Sequence, residues 1–163
     1  MNSNEESPAD APAASRSKVT RDLSTSRLVE RQDQTDELSL RDFLVLVVDD
    51  VIDNVTVISL NLQQQGYRVV TASDGEQAVR VAAQTNPDII LMDIGMPEMD
   101  GLAAARRIRE SENLKSVPII AVTAFSTGGF QRAAYDAGFD AYLTKPIDFD
   151  RLQDLVRSLL PVK

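Results

Sequence analysis

The sequence predicts an α/β fold built on a doubly wound, five-stranded parallel sheet, and three observations lead there. Short continuous apolar runs alternate with stretches of helical periodicity, and the alternation repeats five times. The runs are short and rich in β-branched and aliphatic residues, as expected of strands covered on both faces. A closed eight-unit barrel would need roughly twice this chain.

The first run, FLVLVV at 43–48, reads as a fully buried strand. A helix follows from about Asp53 to Gln65, with Val55, Ile58 and Leu62 on one face and Gly66 as its stop. The unit recurs as YRVVTA then Glu76 to Gln84, DIILM then about Leu102 to Glu110, and VPIIAV then about Gly129 to Asp136. DAYL then Asp148 to Leu160 completes the series. Strands that alternate with helices imply a parallel sheet with right-handed crossovers. For five units, the flavodoxin-like order 2-1-3-4-5 with five helices is the economical solution.

Residues 1–40 differ in character. They are rich in Ser, Asp, Glu, Gln, Arg and Thr, and carry Pro8 and Pro12. Such a segment buries too little apolar surface to offset the entropy of ordering, so a disordered tail or linker is expected there. Val19, Leu23, Leu28 and Leu38 leave open a weak amphipathic helix that binds a partner. The division expected is thus a tail at 1–40 and one domain at 41–163.

Composition narrows the chemistry. The 163 residues include no cysteine and no histidine, so thiol chemistry, imidazole bases and imidazole metal ligands are excluded. A formal net charge of -8 speaks against nucleic acid or an anionic membrane as a direct partner and for proteins and cations. No apolar run approaches the roughly 18 residues of a membrane span, and the N-terminus lacks a basic start and an apolar centre. The chain is therefore read as soluble and cytoplasmic.

In a doubly wound sheet, functional groups gather at the C-terminal ends of the strands. Asp49 and Asp50 directly follow the first run and Asp93 follows the third, and these strands are neighbours in the proposed order. Taken singly, such aspartates are ordinarily turn formers or helix caps. Taken together they are three converging carboxylates, costly unless a cation neutralises them, and an all-oxygen site suits Mg²⁺. Thr123 ends the fourth strand and Lys145 follows the fifth. Alone, one is a β-branched strand end and the other a solvated charge. At one sheet edge, a hydroxyl and an ammonium could contact the oxygens of a phosphorylated aspartate.

The motifs VVDDVIDN, LMDIGMPEMDG, VTA and YLTKP resemble, in this order and spacing, the receiver family of two-component signalling over about residues 43–160. The resemblance implies that Asp93 is the phosphoacceptor and that Asp49, Asp50 and Asp93 bind Mg²⁺ together with the backbone carbonyl of Gly95. It implies a switch made of Thr123 and Tyr142, contact of Lys145 with the phosphoryl group, and a cis bond before the structural Pro146. It further implies a phosphohistidine donor, from a histidine kinase or a histidine phosphotransfer protein, and a downstream protein target. Apart from this resemblance, Tyr142 could be an ordinary core aromatic.

Three positions depart from the commoner pattern. Gly95 has no side chain beside the phosphoryl site, Phe125 is bulky and apolar, and Gly128 precedes the more familiar Gly129. Neither Gly95 nor Phe125 can orient a water by a side-chain hydrogen bond, so slow self-dephosphorylation is expected.

The leading expectation is a single-domain regulator or relay protein, a phosphoacceptor with chemistry only upon itself. The alternative is a receiver segment of a larger hybrid kinase or phosphorelay protein. An aspartyl-phosphate phosphatase would require an acid-base aspartate two residues after the nucleophile, where Gly95 stands. A receiver-like module that is never phosphorylated would ordinarily have lost an acidic or lysine position, and none is lost.

Overall fold

A computed structural model of the chain describes residues 40–161. The expectations for the tail before residue 40 lie outside these described residues. Strands β1 (Leu44–Val48), β2 (Arg68–Ala72), β3 (Ile89–Met92), β4 (Ile119–Thr123) and β5 (Ala141–Thr144) alternate with helices α1 (Ile52–Gln64), α2 (Gly75–Thr85), α3 (Gly101–Glu110), α4 (Gly128–Ala137) and α5 (Phe149–Leu159). A short 3-10 turn, Glu112–Leu114, joins α3 to β4. The sheet is wholly parallel, in the order β2-β1-β3-β4-β5.

Each element has a local cause. The β1 run is buried at every position because helices cover both sheet faces, which is why it reads as continuous rather than alternating apolar sequence. One face packs Val45, Val47, Leu91 and Ile120 against Ile58 and Leu62 of α1 and Leu152 and Val156 of α5. The other packs Leu46, Val48, Ile90 and Met92 against Ala78 and Ala82 of α2 and Ala104, Ala105 and Ile108 of α3. The four alanines are inaccessible to solvent. Small side chains there let α2 and α3 lie close to the sheet and to one another.

Helices α1 to α4 start one residue earlier than the periodicity suggests, and α5 one residue later. Asp74 and Asp100 cap α2 and α3 by accepting from Gln77 N at 2.7 Å and Ala103 N at 2.8 Å. Asp148 is likewise the cap of α5 rather than its first residue, and accepts from Arg151 N at 3.1 Å. The Gln77 side chain returns to Ser73 N at 2.7 Å, so the entry to α2 is bonded in both directions. Strand β4 starts later than the apolar run because Pro118 has no N–H to give the ladder. Gly66, at φ 103°, ends α1 as expected.

One clamp and one close approach hold the loops. The Arg109 guanidinium donates to the carbonyls of Leu114, Lys115, Val117 and Gly138 and to the Asp140 carboxylate. Asp140 in turn accepts from Ile119 N at 2.9 Å, so the start of β4 and the end of α4 share this anchor. Gly101 opens α3 directly against the end of β3. A Cβ there would stand 2.2 Å from the Asp93 carbonyl oxygen and 2.8 Å from Ile94 Cα.

Gly101→Ala is therefore expected to lower stability by about 1–3 kcal/mol, the usual cost of overpacking. Gly129→Ala, with nothing within 4 Å of the added methyl, is expected to raise it by a few tenths to about 1 kcal/mol. Urea unfolding with unchanged slope checks both. Equal stability of Gly101→Ala and the wild type would show that the α3 contact is slack.

Candidate functional site

The register of the central strands creates the site. Val48 lies opposite Met92, so the next residue on each strand, Asp49 and Asp93, emerges at the same level. Asp93 N donates to Val48 O at 2.9 Å and Asp49 N to Ala72 O at 3.3 Å, which carries the backbone pairing to the last residue before the loops. Asp49 is 2% exposed and Asp93 7%, whereas Asp50 faces solvent. One carboxylate oxygen from each of the three falls within 4.8 Å of the others.

Lys145 answers this concentration of negative charge. Its Nζ lies 2.7 Å from Asp49 Oδ2 and 3.1 Å from Asp93 Oδ2. Burial works against the ammonium charge, but hydrogen bonds to Asp49 and Asp93 outweigh it, and the Lys145 pKa is raised above its ordinary value. The other oxygens are held by backbone: Gly95 N donates to Asp93 Oδ1 at 3.1 Å, and Val51 N to Asp49 Oδ1 at 2.9 Å. Three carboxylates presenting only hard oxygen donors, one of them toward solvent, fit a small divalent cation such as Mg²⁺.

Strands β4 and β5 complete the edge. Thr123 pairs with Thr144, and Lys145 N donates to Thr123 O at 2.9 Å, which brings the lysine stem beside the threonine. Thr123 is fully buried. The Lys145–Pro146 bond is cis. Tyr142 packs in the core cluster on the α2–α4 face, and its hydroxyl donates to the Phe125 carbonyl, two residues beyond Thr123. The Tyr142 pKa is raised by burial first and by the Asp93 charge second.

The Phe125 ring occupies the space beside Gly95, where an added Cβ would meet its Cε2 at 2.7 Å. It also stacks on Phe130 in the first turn of α4, with centroids 4.5 Å apart and planes at 17°.

Asp49, Asp50, Asp93, Gly95, Thr123 and Lys145, all singled out from the sequence, thus gather at one edge. Tyr142 lies behind them and Pro146 beside them. Two neighbours were not foreseen. Asn54 donates from Nδ2 to Asp49 Oδ2 at 3.2 Å, and Phe130 stacks on Phe125. Asn54 carried a readable signal, since it ends the motif VVDDVIDN within the first turn of a helix that starts at the site. The Phe125–Phe130 stack had none, because its geometry depends on the loop between them.

The response regulator receiver domain model matches residues 45–157. The chain is 39% identical to the response regulator PleD of Caulobacter vibrioides over 119 residues, 73% of this chain and 26% of PleD, so it spans about a quarter of that relative. It is 34% identical to the polar-differentiation response regulator DivK of Brucella ovis, over 71% of this chain and 94% of DivK. The receiver domain of the sensor histidine kinase PA1611 from Pseudomonas aeruginosa, solved with a magnesium ion coordinated in its active-site cleft, superposes with a TM-score of 0.68 at 42% identity. That match covers 72% of this chain and 96% of the other. Sheet order, the acidic edge with its bridging lysine and the matched span agree: the chain belongs to the response-regulator receiver family of two-component signalling.

Proposed function

We propose that Asp93 accepts a phosphoryl group from a phosphohistidine of a histidine kinase or histidine phosphotransfer protein, and that the chain signals through contact with a downstream protein. The observation that carries this reading is the bridge from Lys145 to both Asp49 and Asp93, beside the buried Thr123. An isolated buried carboxylate pair would serve no folding purpose, whereas this set matches what an aspartyl phosphate needs.

In the reaction, a carboxylate oxygen of Asp93 attacks phosphorus in line as the P–N bond of the donor breaks. Gly95 N and Lys145 fix the orientation of that carboxylate before attack. Asp49, Asp50, Asp93 and the Gly95 carbonyl would hold Mg²⁺, which when bound supplies positive charge to the carboxylates and phosphoryl oxygens. Once phosphate is attached, Lys145 and the Thr123 hydroxyl are the groups placed to meet its oxygens. Thr123 then pulls on the loop whose Phe125 carbonyl receives the Tyr142 hydroxyl, and this loop links the site to α4. A protein donor is supported by the exposed apolar residues Ile52, Val57 and Leu60 on α1 and by the cleft of about 310 Å³ between Asn54, Val57, Lys145, Pro146 and Phe149.

A second reading is favoured by the likeness to the PA1611 receiver domain: the same site could serve as the receiver segment of a larger hybrid kinase or phosphorelay protein. The extent of the reading frame in the gene distinguishes the two.

Incubation with acetyl phosphate and Mg²⁺ is expected to add one acid-stable, base-labile phosphoryl group to the wild type and to Asp53→Asn, and none to Asp93→Asn. Intact-mass measurement reads the result, and undiminished modification of Asp93→Asn would sink the assignment.

Lys145→Met is expected to destabilise the Mg²⁺-free protein, because it leaves Asp49 and Asp93 facing each other without a cation. The native Lys145 pKa is raised, so the stabilisation is complete below the unfolded value of about 10.4 and is lost as pH rises through the native value. Wild type and variant should therefore converge in stability at strongly alkaline pH. A gap that stays constant from neutral pH to beyond that range would contradict the charge argument.

Phe125→Gln is expected to accelerate decay of the phosphorylated form at fixed Mg²⁺, since it replaces an apolar ring beside Gly95 with a group able to hold a water. Decay at the wild-type rate or slower would refute the shielding.

A further inference from the structure

Asp49 carries more hydrogen bonds than its neighbours in the site, and their distribution is unequal. Oδ1 receives Val51 N, while Oδ2 receives both the Lys145 ammonium at 2.7 Å and the Asn54 side chain at 3.2 Å. The identity of the Asn54 atom follows from chemistry: a carboxylate only accepts, so the amide must present its NH₂ group. Asn54 lies in the first turn of α1, and its own backbone N–H is bonded to Val51 O at 3.1 Å, which fixes the stem from which the amide reaches. The two donors on Oδ2 are not equivalent in their prospects. Lys145 also reaches Asp93, and a phosphoryl group on Asp93 gives the ammonium a more highly charged partner. Asn54 has no such rival.

We propose that Asn54 is a positioning residue for the cation site: its amide holds the Asp49 carboxylate in ligating orientation, and among the described residues it becomes the sole side-chain donor to Asp49 when Lys145 turns to phosphate. This rests on the reading of Asp49, Asp50 and Asp93 as a Mg²⁺ site. Groups that hydrogen-bond to a metal-binding carboxylate orient it, and their loss costs affinity on the order of 10–100-fold.

The role separates from a structural one. In the metal-free protein Val51 N and Lys145 still hold Asp49, and Asn54 is only half buried, so removing its amide leaves the fold's stability nearly unchanged. The test is calorimetric titration of Mg²⁺ into the wild type, Asn54→Leu and Asn54→Ala, with thermal unfolding of each in chelator. The expected result is a roughly tenfold or larger loss of Mg²⁺ affinity in both variants, with unfolding temperatures in chelator close to that of the wild type. A further loss is expected when the titrations are repeated with beryllofluoride present, where Lys145 no longer supports Asp49. Unchanged or tighter Mg²⁺ binding in both variants would overturn the proposal, since it would mean the amide merely competes for Oδ2. Affinity that falls only in step with the unfolding temperature would overturn it too, as a purely structural effect. A wild type that binds no Mg²⁺ at millimolar concentration would instead overturn the metal-site reading beneath it.

Discussion

Level strand ends at the centre of the sheet put Asp49 and Asp93 side by side, and the ammonium of Lys145 makes that arrangement tolerable. Two unit charges of like sign at 4 Å repel by about 4 kcal/mol at the effective dielectric of a protein surface, a sizeable share of a domain's net stability of about 5–15 kcal/mol. The lysine comes from the opposite side of the site, two strands away from β3, so the charge balance of the central strands depends on correct docking of β5. Site and sheet are in this sense one construction. The pairing that neutralises the carboxylates also reports that the last strand has arrived.

Aspartates at helix entries and aspartates at the site use their carboxylates differently. Asp74, Asp100 and Asp148 turn their carboxylates onto the first turns of α2, α3 and α5. The helices that rise from the site, α1 and α4, begin at Val51 and Thr127 with no side-chain cap bond. At α1 the Asp49 carboxylate binds Val51 N without leaving the cluster, so one group serves the helix entry and the site together. The start of α4 has no such side-chain bond.

The fold and most of the site could be read from the sequence because they rest on short-range signals. An apolar run ending in acid, as at Val48 and Asp49, locates a strand and its functional end in one stroke, and the parallel order follows from the repeat of such units. Which aspartates were caps was harder. Asp148 lies within the helical period of α5, and its extended backbone and its contact with Arg151 N show that it stands outside the helix. That Gly95 and Phe125 stand beside the same site followed from the resemblance, but the direct contact of the ring with Gly95 depends on how two loops from different strands meet. Asn54 lay between: its place in the motif was visible, but the use of its amide depended on how α1 leaves the sheet.

The Arg109 clamp has a mechanical consequence for α4. At its C-terminal end the helix meets a guanidinium that ties Gly138 to the turn before β4 and to Asp140, which in turn holds the first residue of that strand. At its N-terminal end two exposed glycines contribute no side chain, and the helix is joined to the loop after Thr123 by backbone bonds from Phe130 N and Gln131 N to Thr127 O and by the Phe125–Phe130 stack. The helix is a cantilever, built in at one end and lightly sprung at the other. The exposed first turn of α4 thus lies nearest the carboxylates, while its buried residues, Ala134 and Ala137, lie toward the anchored end.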